Sequence, residues 1–150
     1  MLRDPALIPL SQQHHNGLAL CVLTERALHA DRSETAIRQL ATKVINRYEI
    51  ELTNHFDIEE QVLFPLIERE LGKMTIIGEL IADHRALERM IEQMRTAPSP
   101  ELLERFCDLL RRHIRREENE LFQDAQQRLR AELLAAAGKE IDAQALRVCL

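Results

Sequence analysis

Aromatic side chains make up only 3 % of the chain, and tryptophan is missing altogether, so the core must be chiefly aliphatic. Glycine is scarce, at four in 150 residues. The remainder is rich in Leu, Glu, Arg and Ala, which favours helix, and no segment reads as a strand. There is no nucleotide-binding glycine loop, no GxSxG elbow and no zinc-finger spacing, which removes the functions those motifs carry. No run of eighteen apolar residues occurs, so no transmembrane helix is expected. The stretch from Met1 to His14 has no apolar run long enough for a signal peptide. Cysteine is limited to Cys21, Cys107 and Cys149. An odd count without CxxC spacing reads as reduced thiols in a cytoplasm. Long basic runs are lacking too. The formal net charge is −5, and Arg111-Arg112 and Arg115-Arg116 alternate with acids, so no nucleic-acid partner is expected.

What remains is 45 % hydrophobic and 30 % charged, the balance of a globular chain with one core. Residues 1–150 are expected to form a single domain. Met1 to Leu10, with Pro5 and Pro9, reads as an extended arm. Ser11 is placed to cap a first helix that runs to about Ala30. Ser33 caps a second, long helix that opens near Glu34. Pro65 is expected to kink or end it, with Leu66 to Leu71 continuing beyond the kink and Gly72 as the stop. A third helix opens at Thr75 and breaks at Ala97-Pro98-Ser99-Pro100. Ser99 then caps a fourth, with Pro100 in its first position. Leu129 to Ala137 reads as a short fifth helix ended by Gly138, and Ile141 to Leu150 is weakly specified. The fold class that follows is all-α: an antiparallel up-down-up-down four-helix bundle with a short C-terminal extra helix.

One ten-residue pattern occurs twice. His55-Phe56-Asp57-Ile58-Glu59-Glu60-Gln61-Val62-Leu63-Phe64 is matched by His113-Ile114-Arg115-Arg116-Glu117-Glu118-Asn119-Glu120-Leu121-Phe122 at the His, both Glu, the Leu and the Phe. On a helix, residues four apart lie one turn apart on the same face. His55 therefore lies beside Glu59, and His113 beside Glu117. Imidazole with carboxylate, twice, suits a borderline or hard divalent metal. A single HxxxE is most often a solvated pair. Here, however, Leu and Phe follow each His at eight and nine positions. Eight residues is about 80° past the same face, near enough to share a core stripe, where unpaired polar groups are costly. Each of the four helices supplies a histidine: His14 or His15, His55, His84 and His113. Glu88 follows His84 by four. Leu18 and Val22 favour His15 as the inward member of its pair; Leu18 and Cys21 serve His14 nearly as well, and the choice stays open. Glu60 and Glu118 lie about 100° off the ligand face, as partners of the site or as solvated acids. Tyr48 reads as packing, and His29 faces solvent.

With these residues the sequence resembles the hemerythrin-like family, the HHE cation-binding domain. The resemblance rests on His14-His15, His55 to Glu60, Asp83-His84 and His113 to Glu118, over roughly residues 11 to 126. It implies a non-haem centre of two Fe ions with an oxo or hydroxo bridge. Glu59 and Glu117 would be the bridging carboxylates. His55, His84, His113 and His15 (or His14) would be terminal ligands. Oxygen carriers of the family have a second histidine where this chain has Glu88. A carboxylate there would favour the ferric state, which points away from reversible oxygen carriage and toward sensing of O2, NO or redox state, or iron handling. Zn or Mn would suit the same residues. The rival readings are a purely structural bundle with buried His–Glu networks and a di-iron oxidase or peroxidase. No substrate pocket speaks for the second, so an enzyme is the lesser expectation. The sequence does not decide the oligomeric state.

Overall fold

The computed structural model describes residues 2–147; Cys149 lies outside them. It is all-helical, with no strand among the described residues. The bundle has four long helices: α1 (Ile8–Ala30), α2 (34–71), α3 (Thr75–Thr96) and α4 (100–128). Links at 31–33, 72–74 and 97–99 are short, so each helix must fold back on the one before it. Helix α4 packs on α1 and α3, and α2 packs on the same pair. A fifth helix, α5 (Ala131–Gln144), crosses one end and packs on the N-terminal segment.

Two of the three expected capping serines lie where the sequence places them; Ser11 does not cap α1, which opens earlier at Ile8 and holds Ser11 within it. Ser33 Oγ accepts the Ala36 amide at 3.2 Å, and Ser99 Oγ accepts that of Leu102 at 3.1 Å with Pro100 at the helix start. Gly72 ends α2 with φ 86°, a left-handed conformation that a side chain would disfavour.

Two stretches differ from the sequence expectation. The N-terminal residues are not an extended arm. Asp4 Oδ1 caps a 3-10 turn at Pro5–Leu7, and α1 opens at Ile8, with Pro9 in its first turn. Proline suits that position because its missing N–H has no partner to lose there. Helix α5 also runs straight through Gly138. This glycine is a contact point: a Cβ placed on it would lie 2.7 Å from Ala6 Cβ and 2.8 Å from Ala6 Cα. Gly138→Ala therefore sets two effects against each other. Helix propensity gains about 1 kcal/mol, and overpacking costs about 1–3 kcal/mol. The obstructing atoms include fixed backbone, so overpacking should win. We expect a thermal midpoint a few degrees lower, read by circular dichroism; an unchanged or higher midpoint would contradict this packing.

Helix α2 is continuous past Pro65, and the reason lies in its turns. Both repeated motifs contain a wide π turn, Glu59–Leu63 in α2 and Glu117–Leu121 in α4. The buried residues His113, Glu117, Leu121 and Ala125 are spaced by four. On a regular α-helix each step of four overshoots its face by about 40°. A wide turn, with i→i+5 bonding, spends an extra residue per turn and takes the drift back. The angular offset between His and Leu in each motif is absorbed there. Gln61, whose carbonyl the Pro65 ring would meet in a regular helix, lies inside the wide turn of α2. A third wide turn, Tyr48–Leu52, sits earlier in α2.

The core has two apolar clusters. One contains Leu7, Leu10, Leu63, Phe64, Leu80, Leu121, Phe122 and Ile141; the other contains Leu20, Cys21, Tyr48, Phe56, Leu87, Phe106, Cys107 and Ile114. Between Leu10 and Leu20 on α1, and between Leu80 and Leu87 on α3, the chain switches from one to the other. The histidines occupy that level.

Candidate metal centre

His14, His55, Glu59, His84, His113 and Glu117 are buried at the waist between the two clusters. Helix α1 supplies His14, α3 supplies His84, and each repeated motif supplies a His–Glu pair. Ring nitrogens and carboxylates converge. His55 Nε2 and His84 Nε2 each lie 3.3 Å from Glu59 Oε1. His113 Nε2 lies 2.5 Å and His14 Nε2 3.8 Å from Glu117 Oε1.

Every one of the four rings turns its other nitrogen outward to an oxygen acceptor. His14 Nδ1 bonds Glu118 at 2.8 Å, and His55 Nδ1 bonds Gln13 at 2.9 Å. His84 Nδ1 bonds Glu60 at 2.7 Å, and His113 Nδ1 bonds Asp83 at 3.1 Å. Carboxylates and an amide oxygen can only accept, so these contacts place the proton on Nδ1. All four Nε2 atoms then carry a bare lone pair toward the centre. Two of them, on His84 and His113, are only 3.2 Å apart. Both oxygens of Glu59, both of Glu117, and Nε2 of His14 and of His55 have no hydrogen-bond partner.

A buried cluster made only of acceptors requires positive charge at its middle. Protons are poorly suited to supply it. Burial pushes the pKa of His55 and of His113 below the usual imidazole value, and the neighbouring carboxylates only partly offset this. Burial also opposes charge on Glu59, but the His55 and His84 imidazoles that face it outweigh burial and hold the carboxyl below its usual range. The donors therefore fit metal cations. The geometry defines two groups that could each hold one: His14, His55, Glu59 and Glu117, and Glu59, His84, His113 and Glu117, with ligand atoms within 4.8 Å of one another. The two groups share both glutamates.

The surroundings exclude water and fix the rings. Phe56 stacks on His84 at 3.9 Å between centroids and meets His55 and His113 edge-on. Phe122 stacks on His14 at 5.3 Å. The outer acids are anchored in turn. Arg85 pairs with Glu60, and Arg3 holds Glu118 at 2.5 Å. Burial works against ionisation of Glu118, but the His14 hydrogen bond more than compensates and holds its carboxyl at about 2. Glu60 and Glu118 are thus partners of the site.

Two residues expected at the centre lie outside it. His15 is exposed and His14 is 4 % exposed. The buried stripe of α1 is Leu10, His14, Gly17, Cys21, Thr24 and Leu28; Val22, which favoured His15, points to solvent. Glu88 is 54 % exposed and lies 3.6 Å from Arg85. The stripe of α3 advances Ile77, Leu80, His84, Leu87, Ile91, Met94. Alternating steps of three and four put Leu87, not Glu88, next after His84. Contrary to the sequence expectation, Glu88 therefore adds no charge to the centre. Sequence reasoning missed Gln13 and the role of Asp83. The available signals were a glutamine beside His14 three residues after Leu10, and an acid directly before His84. Tyr48 packs edge-on against Phe56 at 6.3 Å; burial pushes its hydroxyl up to about 12, as befits a packing residue. Among the described residues no helix is long and apolar enough to cross a membrane.

Compared with known proteins, the chain matches the model of one family, the hemerythrin HHE cation binding domain, over residues 9–125. No match was found among curated proteins or solved structures.

Proposed function

The chain belongs to the hemerythrin HHE family, and from that premise we propose that it is a non-haem di-iron protein that binds a small diatomic ligand, O2 or NO, as a carrier or redox sensor. The observation that carries the reading is the pair of four-residue groups sharing Glu59 and Glu117. Glu59 and Glu117 would be shared by both ions, with His14 and His55 holding one and His84 and His113 the other. Iron held there would supply reversible one-electron chemistry.

The residues account for the rest. Gln13, Glu60, Asp83 and Glu118 keep each ring in one tautomer with Nε2 inward, so no imidazole has to reorient or lose a proton when the site fills. Phe56, Phe64 and Phe122 line the rings with apolar surface, which suits a small, weakly polar ligand better than a charged one. His14 also lines a surface cleft of about 320 Å³ with Arg3, Ser11, Leu18 and Glu118, so this edge of the centre is the one nearest a surface opening. A purely structural network fails to explain six buried polar atoms with no partner.

The test is anaerobic reconstitution with ferrous iron, then metal analysis and titration with nitric oxide. Two irons per chain and a saturable change in the visible spectrum are expected. A single ion, preferential uptake of zinc, or a spectrum indifferent to nitric oxide would count against the reading.

A further inference from the structure

Seven residues along α1 from His14, a second chemical group is buried in the seam between α1 and α4. Cys21 and Cys107 are both fully buried and both free thiols. Cys21 Sγ lies 3.6 Å from the Cys107 carbonyl oxygen, to which it donates. Neither cysteine belongs to the metal-binding groups. The helices are held close here. Gly17 offers no side chain, and a Cβ on it would sit 3.1 Å from Ile114 Cδ1. Arg111 of α4 pairs with Glu25 of α1 across the same seam. With the Cys21 sulfur 3.6 Å from the Cys107 backbone, the two helices meet the main geometric demand of a disulfide, that the backbones already be near enough.

We propose that Cys21 and Cys107 form a redox-active dithiol, closed to a disulfide by a hydroperoxide and independent of the metal centre. Cys21 is the attacking sulfur. At rest it is a thiol bonded to the Cys107 carbonyl; once it loses that proton, the Cys107 side chain and the charge of Arg111 favour its thiolate against burial, while the Cys107 thiol is pushed up. The Cys21 thiolate attacks hydrogen peroxide. An S–O bond forms, the O–O bond breaks, and the leaving hydroxide takes a proton and departs as water. Cys107, deprotonated in that step, attacks the sulfenic sulfur. An S–S bond forms, the S–O bond breaks, and the hydroxide leaves as a second water, taking up the proton that Cys21 released to solvent on becoming a thiolate. Two electrons pass from the sulfurs to peroxide. A cleft of about 360 Å³, lined in part by Glu25, Asp108 and Arg111, lies over this seam; neither cysteine lines it, so the oxidant must pass the Arg111–Glu25 pair to reach them. The closed bond ties the helix bearing His14 to the helix bearing His113 and Glu117.

The experiment uses the full-length protein, reduced, desalted and treated with hydrogen peroxide. Its readouts are thiol titration under denaturing conditions and peptide mapping without reductant. The expected result is a fall from three titratable thiols to one, with a linked pair of peptides carrying Cys21 and Cys107. The thermal midpoint should rise and return on adding dithiothreitol. Cys21→Ser and Cys107→Ser should each abolish the link; should either fail to fold, the wild-type peptide map decides alone. An undiminished thiol titre, sulfinic acid on either cysteine without a link, or a link through Cys149 overturns the proposal. None of these readouts depends on iron, so failure here leaves the di-iron reading standing, and the reverse.

Discussion

Glu59→Gln or Glu117→Gln is expected to empty the centre of both metal ions, whereas His14→Ala or His84→Ala should remove mainly one. The asymmetry follows from sharing: each four-residue group contains both glutamates but only two of the four histidines. Glutamine keeps the shape of the side chain and removes the charge. Loss of an outer partner of a metal ligand already lowers affinity about 10–100-fold, and loss of a bridging anion in a water-free site should exceed that at both positions. The measurement is metal content per chain after dialysis against a buffered chelator. Glu88→Ala serves as the control and should leave the content unchanged, since Glu88 lies at the surface beside Arg85. Glutamine variants that retain one ion, or a His14→Ala protein that retains none, would refute the shared arrangement.

The second large effect concerns stability, and its sign depends on the metal. Ligand present at about 1,000 times its dissociation constant stabilises a fold by about 4 kcal/mol. For a domain of this length each kcal/mol moves the midpoint by about 2–4 °C. Chelation should therefore lower the thermal midpoint by roughly 8–16 °C for the first such site alone. Without metal, Glu117 is a buried carboxylate with neither oxygen hydrogen-bonded. An uncompensated buried ion carries a desolvation penalty on the order of several kcal/mol, which a neutral side chain of the same shape avoids. Glu117→Gln should thus be the more stable protein when both are metal-free and the less stable when metal is supplied. Thermal melts of both proteins, with and without chelator, read the crossing. Parallel curves that never change order would show that the carboxylate is satisfied by something other than a cation.

Much of the fold and of the centre is legible in the amino-acid sequence. The caps at Ser33 and Ser99, the stop at Gly72 and the doubled His–Glu motif each rest on short-range chemistry, and short-range chemistry is written in adjacent residues. Sequence reasoning errs where the outcome is decided at long range or by a small angular difference. His14 and His15 differ by one residue, and the deciding fact is that α1 follows a stripe through Cys21 and Leu28, with Val22 outside it. Glu88 obeys the four-residue rule that works for Glu59 and Glu117. It fails because the buried stripe of α3 steps by three from His84 to Leu87, which turns Glu88 outward to Arg85. Gly138 reads as a helix stop because the residue it makes room for, Ala6, lies at the far end of the chain. The wide turns have a visible trace, the offset between His and Leu in each repeat, but a regular helical wheel has no means of expressing one.

The division of the core at the waist also bears on cooperativity. A domain of this size ordinarily melts as a single unit because one apolar core joins all of its parts. Here the cluster covered by α5 and the cluster around Phe106 touch across a layer of imidazoles and carboxylates that repel one another when no cation lies between them. Each half alone has a small core, and small cores are marginal. On the proposed reading, cations held at the waist would act as the weld between them. With the weld in place the four helices rise and fall as one body, and without it the capped end and the open end are free to part company.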